Sequence, residues 1–295
     1  MDETLTLSFR LSARNSIGGP PGAITQNYQS ATYATLVTGM PVPANFNVGA
    51  ISGGTDRSSR ISTTLGLSGA WSAGTLDGVM TLSPMRAAAV DGPLTSLDIG
   101  INPSDNSNGD NVQINAAQRT LAISAVNYAR LDRTDAYFGR LRMQNALGSP
   151  LLALTIPIEA QYFSGSVFQR NSADSCTSLA GNNFAVGNYL GSLTAVNTPA
   201  SNLVVDGTFA SGLGSLLLSK PAGGATGSAD ITVGLGATTG AQPCTTPSWS
   251  PTVTAAGAKS YLRYQWCGAA NDRDPVARAT FGAYRNNYIF RRENY

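Results

Sequence analysis

Histidine is absent from this 295-residue chain. With it go Ser-His-Asp and Cys-His catalysis, imidazole metal ligation and histidine pH switching, because no other side chain has an unperturbed pKa near neutrality. Charge is scarce as well: charged residues make up 12% of the sequence, 19 basic against 17 acidic, for a formal net charge of +2. A balance so close to zero creates no long-range field to gather phosphate backbones or anionic lipid, so nucleic acid is not an expected partner. Lysine occurs only at Lys220 and Lys259, and glutamate only at Glu3, Glu159 and Glu293. Solvated helix faces normally need more of both. No apolar run reaches the roughly 18 to 20 residues of a membrane-spanning helix. Residues 1–15 lack the basic-then-apolar pattern of a signal peptide, and the chain reads as a mature fragment of an exported protein.

Cysteine is sparse too. Cys176, Cys244 and Cys267 all fall in the second half, and without CxxC spacing they do not suggest a zinc site or a thioredoxin-like pair. One disulfide is expected, stabilising by about 2 to 4 kcal/mol in an oxidising compartment. The expected pair is Cys176–Cys244, both in loop-like sequence, which leaves Cys267 as a free or intermolecular thiol. The rival pair, Cys244–Cys267, closes a shorter loop.

What the chain does contain is alternation and turns. Leu5, Leu7, Phe9 and Leu11 alternate with polar residues, and the pattern returns at 76–82, 156–162, 231–235 and 262–266. Period two over such runs marks half-buried strands. Turn signals separate them, among them Gly18-Gly19-Pro20-Pro21, Asp91-Gly92-Pro93 and Asp206-Gly207. Only 116–119 and 85–90 offer short helical candidates. The expected fold is all-β, two immunoglobulin-like β-sandwich domains in tandem. The charge concentrated at Asn127 to Asp135 suggests a boundary, giving an N-terminal domain at 1–130 and a C-terminal domain at 131–295 that holds all three cysteines.

Several residues invite chemistry. Asp105, Asn108 and Asp110 crowd hard oxygen donors into one segment, and Asp272 and Asp274 form a second cluster, so calcium is conceivable at either. The bidentate glutamate of an EF-hand is missing, and an Asn/Asp turn or pairing with Arg273 or Arg278 explains the same residues. The scattered glutamates and the lack of Asp-Thr-Gly offer no acid-base pair, so no enzymatic role is expected and no cofactor beyond calcium. Aromatic residues gather near the end, at Tyr261, Tyr264, Trp266, Phe281, Tyr284, Tyr288, Phe290 and Tyr295. They fit strand packing, and Trp71, Trp249 and Trp266 are candidate stacking faces for a sugar. Leu5, Leu7, Phe9 and Leu11, together with 288–292, are strand-like ends able to add to a neighbour's sheet edge.

The run Phe138-Gly139-Arg140-Leu141-Arg142-Met143-Gln144-Asn145, continued by Ile156-Pro157-Ile158-Glu159-Ala160-Gln161-Tyr162-Phe163, resembles the C-terminal region of the MshQ family. So do Asp174-Ser175-Cys176-Thr177, Tyr261-Leu262-Arg263-Tyr264-Gln265-Trp266 and Asp274-Pro275-Val276-Ala277-Arg278. That family is associated with the mannose-sensitive haemagglutinin type IV pilus of Gram-negative bacteria. The resemblance implies a non-catalytic, extracellular or cell-surface protein with a structural or adhesive role, whose partners are other pilus or surface proteins. Family members often carry an acidic calcium-like pattern after the tryptophan, and here Cys267 to Arg273 lacks most of those carboxylates. A filament subunit built by terminal strand addition to copies of itself and a carbohydrate-binding module are the alternatives.

Overall fold

The computed structural model describes residues 1–15, 22–28, 46–62, 66–103, 114–200, 203–205, 207–236 and 241–282. The expected all-β class is what forms: helix among the described residues is confined to short 3-10 turns, one of them Ala116–Gln118 in the predicted place. Residues 85–90, the other helical candidate, are irregular. The chain divides into two compact units, Met1–Phe138 and Gly139–Tyr295. The division falls later than the 130/131 boundary read from the charge cluster, because that cluster lies within a continuous strand.

The first unit contains β1 (Leu5–Ser12), β2 (Phe46–Ser52), β3 (Thr55–Asp56), β4 (Ile61–Ser62), β5 (Leu67–Ser68), β6 (Trp71–Ser72), β7 (Thr75–Pro84), β8 (Leu94–Pro103), β9 (Leu121–Ile123) and β10 (Val126–Ala136). One sheet has the order β1-β7-β4, with β5 and β6 also on β7, and the other runs β3-β2-β8-β10-β9. The apolar positions of β1 and β7 face those of β2 and β8, and Leu7, Met80, Phe46, Leu97 and Ile99 meet in one core. Burying one alternate set from each sheet is the defining economy of a sandwich. The charged residues that suggested a boundary lie along β10, where exposed Arg133 and Arg130 both reach Asp98 on β8.

The second unit contains β11 (Gly139–Met143), β12 (Ala146–Gly148), β13 (Leu154–Phe163), β14 (Phe168–Arg170), β15 (Phe184–Gly191), β16 (Leu203–Val205), β17 (Leu213–Leu218), β18 (Gly227–Val233) and β19 (Val276–Phe281). Its sheets have the orders β11-β13-β17-β16 and β12-β19-β18-β15. In chain order that is the A-B-E-D and G-F-C arrangement of an immunoglobulin sandwich, with the first strand split so that its second part, β12, runs parallel to the last strand. The first unit is a sandwich with a different strand order. Leu141, Ile156, Ile158, Leu216, Ile231 and Phe281 fill the second core, all essentially without exposure.

The predicted strand at 262–266 does not form. Ser260–Leu262 is a 3-10 turn, and Tyr264 makes a single bridge to Arg273. These residues belong to the long connection between β18 and β19, which folds back over the sandwich. Leu262 is buried in the second core, and its alternation with Tyr264 and Trp266 reflects that fold-back rather than a ladder.

Candidate functional site

In an immunoglobulin-like sandwich the connections after the second and sixth main strands lie at one end. Here these are the β13–β15 connection, which carries β14, and the β18–β19 connection, 234–275. Buried carboxylates fasten both. Asp274, fully buried, accepts hydrogen bonds from the Leu235 N–H at 3.0 Å and the Gln242 N–H at 2.7 Å. It also accepts a forked pair from Arg263, Nε at 2.9 Å and Nη2 at 3.1 Å. The guanidinium lies where a side chain on Gly236 would stand, since a Cβ there would be 2.4 Å from Arg263 Nη2. Asp174 accepts from the Thr177 hydroxyl and from the N–H groups of Cys176 and Thr177. Burial opposes its charge, but those donors outweigh it and hold the carboxyl below its usual pKa. Asn183 adds a further tie, donating to the Ala255 carbonyl.

The disulfide is Cys244–Cys267, with a Cα–Cα distance of 5.7 Å. This corrects the expected Cys176–Cys244 pairing. Backbone bonds in both directions between Tyr264 and Arg273 form a hairpin that carries Cys267, while the bridge of Pro243 to Asp274 places Cys244 beside it. Cys176 is instead held by Asp174, to which its Sγ is 3.6 Å distant, and stays a thiol. Loop-like sequence around both members of the expected pair was not enough, because pairing is set by the register of the returning hairpin.

On the outer face of the β11–β13–β14 strip, Arg140, Gln161 and Arg170 form one row across three strands. Phe163 and Phe168 pair in the next outward row, ring centroids 5.5 Å apart. The fastened β18–β19 connection brings two more rings: Tyr264 stands edge-on to Phe168 at 5.0 Å, and Trp266 edge-on to Tyr264 at 5.2 Å. The Arg140 guanidinium lies 3.7 Å from the Phe168 centroid, 4.9 Å from that of Tyr264 and 5.1 Å from that of Trp266. Its Nε donates to Gln161 Oε1 at 2.8 Å, and Gln161 Nε2 donates to Glu159. Loss of water depresses the Arg140 pKa, with the Tyr264 side chain opposing the shift.

Of the candidate stacking residues, Trp266 belongs to this cluster and the other two do not. Trp249 lies flat against Gly187, where an added Cβ would be 2.6 Å from its ring, and packs with Ala185, Ala241 and Val253. Trp71 stands edge-on to Tyr28 at 4.8 Å and leans on the first core. Arg140, Phe163 and Phe168 were not singled out by sequence as site residues; their signal is the two-residue spacing of 161, 163 and 168, 170 across a hairpin, which needs the register to be seen. Asp274 is the loop fastener described above, with both oxygens engaged by N–H donors, and Asp272 pairs with its neighbour Arg273 at 3.3 Å. No cluster of three or more metal-ligating side chains occurs among the described residues. Asp105, Asn108, Asp110, Tyr284, Tyr288, Phe290 and Tyr295 lie outside the described residues. Leu5, Leu7, Phe9 and Leu11 face the first core, on a strand paired with β7 over eight residues.

Among the described residues no helix is long and apolar enough to cross a membrane. No curated protein matches the chain. Residues 137–294 match the family described as DUF6701, fourth domain, a span that coincides with the second sandwich and covers more than half of the sequence. The chain belongs to the DUF6701 family.

Proposed function

We propose that this chain is a non-catalytic extracellular or cell-surface protein of a Gram-negative bacterium, pilus-associated and similar to MshQ, with a structural and adhesive role. The observation that carries the reading is the fastened loop end of the second sandwich: a disulfide and buried Asp274 hold a long connection in place beside aromatic rings, and buried Asp174 fixes the turn of the neighbouring connection. Loops held on a rigid β scaffold are the usual location of recognition, and a disulfide fits an oxidising compartment. A chain without histidine and with few glutamates supports a binding role over catalysis. Protease shaving of intact cells, with recovery of the chain in sheared pilus fractions, tests the placement. Degradation of the chain on intact cells and its presence with the pili is the expected result; a chain protected until lysis and confined to the cytoplasm overturns it.

Strand addition is a second reading, favoured by the position of β1 at the end of its sheet order. Because β1 is already paired with β7, a neighbour's strand would add at the other edge of β1 rather than replace it. Electron microscopy of the purified chain shows filaments if this is correct and dispersed particles if it is not.

A further inference from the structure

Three well-shielded arginines among the described residues find carboxylates. Arg263 has Asp274, Arg86 has Asp2 and Arg60 has Asp91. Arg140 departs from the pattern. It is half-buried among rings, yet among the described residues no carboxylate lies within 4.0 Å of its guanidinium, and its Nε meets the neutral oxygen of Gln161. The nearest candidate on its own sheet, Glu159, is one amide further away, engaged by Gln161 Nε2 at 3.1 Å. Taking a guanidinium out of water without a counter-charge is costly. Ring contacts offset part of that cost, about 0.5 to 2 kcal/mol for a cation over an aromatic face. The Tyr264 side chain takes up part of the remaining hydrogen bonding, but no carboxylate among the described residues meets the terminal N–H groups, whose planar geometry fits a carboxylate with two parallel hydrogen bonds.

The surroundings specify more than an anion. Tyr264 and Trp266 are partly exposed beside the guanidinium, and aromatic surface of this kind packs against the apolar C–H face of a pyranose. Exposed Arg170, across Gln161 in the same row, adds a second positive charge on the strip. We infer that the Arg140 and Trp266 face of the second sandwich binds an acidic saccharide, with a sugar carboxylate on the Arg140 fork and a ring face against Trp266 or Tyr264. The inference deepens the adhesive reading above and rests on it for its biological setting.

The test titrates the full chain with a galacturonate hexamer, its methyl-esterified counterpart and poly-glutamate, following tryptophan fluorescence. The expected result is saturable quenching by the hexamer that disappears in Trp266→Phe, with the ester and poly-glutamate each at least about tenfold weaker. Arg140→Lys keeps the charge and loses the fork, and at an unchanged melting temperature it weakens the hexamer by about tenfold. Arg140→Ala loses more. No saturable quenching by the hexamer up to about 10 mM overturns the inference. So does equal affinity for the ester, which means stacking without carboxylate recognition, or equal affinity for poly-glutamate, which means an anion site with no sugar component. An Arg140→Lys protein that folds and binds as before overturns it too. None of these outcomes touches the surface placement, which cell shaving decides separately.

Discussion

The two sandwiches use their carboxylates differently. In the first, Asp98 sits on a strand and reaches sideways to Arg130 and Arg133, whose side chains are about half exposed, so the contacts tie one strand of a sheet to the next. Asp77 and Arg10 do the same between β7 and β1, fully at the surface. In the second, Asp174 and Asp274 lie in connections and are buried; Asp174 collects the N–H groups of its own turn, and Asp274 those of segments distant in sequence. Cross-strand pairs in water contribute little, because solvent and salt screen them and two long side chains must be ordered. A buried carboxylate that holds loop backbone decides where the loop is, since leaving those donors unmatched would cost far more than the pair gains. Asp230 on β18 pairs with Arg278 on β19 in the same cross-strand way, so the second domain ties its sheets as the first does and adds a fastened end.

The comparison breaks most sharply at Asp274. Asp274→Ala strands a nearly buried Arg263 and two backbone N–H groups, and a loss of about 3 to 5 kcal/mol is expected. Hydrogen exchange checks where it falls: protection should drop across 234–275 and the second sandwich and stay unchanged in β1, β7 and β8. Opening the disulfide ranks next. Its 23-residue separation corresponds to about 3 kcal/mol by loop-closure entropy, so Cys244→Ser or reduction should lower the melting temperature of the second domain, and non-reducing peptide mapping should recover Cys244 joined to Cys267. Gly187→Ala follows, since its Cβ would enter the Trp249 ring; about 1 to 3 kcal/mol is expected from overpacking, read by chemical denaturation. Asp98→Asn should cost less than any of these, and an effect equal to that of Asp274→Ala would erase the distinction between the domains.

Acid offers the gentlest probe. Arg133 holds Asp98 below the ordinary carboxylate pKa, and the donors around Asp174 do the same there against its burial. A depressed folded-state pKa means that the stabilisation is fully present above the unfolded value, about 3.9, and is lost as pH falls through the lower folded value. Both domains should therefore keep their stability down to about pH 4 and weaken below it. Raising the salt concentration should diminish the contribution of Asp98, whose arginine partners are about half exposed, before that of Asp174, whose donors are neutral N–H groups and a hydroxyl.

Much of the architecture was legible because alternation is written locally. β1, β7 and β13 fall where the apolar residues alternate, and the single turn at 116–118 follows an asparagine whose side chain caps it. The site was legible only in part. Trp266 could be named, but its companions are brought together by register across β11, β13 and β14 and by a connection that doubles back. Asp274 read as a possible metal ligand because spacing shows which oxygens are near in sequence and says nothing of the N–H groups that arrive from Leu235 and Gln242. The cysteine pairing failed for a related reason: three thiols allow three pairings, and the deciding contact is a bridge between residues 243 and 274.

The parallel pairing of β12 with β19 has a mechanical side. Ala146, Leu147 and Gly148 lie beside Ala279, Thr280 and Phe281, and the Gly282 N–H closes the ladder on the Gly148 carbonyl at 2.8 Å. The first and last strands of the second sandwich thus run side by side in the same direction, so tension that draws Gly139 and Phe281 apart slides the two along each other. Bonds perpendicular to such a slide share the load and must rupture together, whereas bonds in a peeled hairpin open one at a time. A domain tethered this way resists being drawn out along its strands, a useful property for any module that must stay folded while something attached to the cell is pulled.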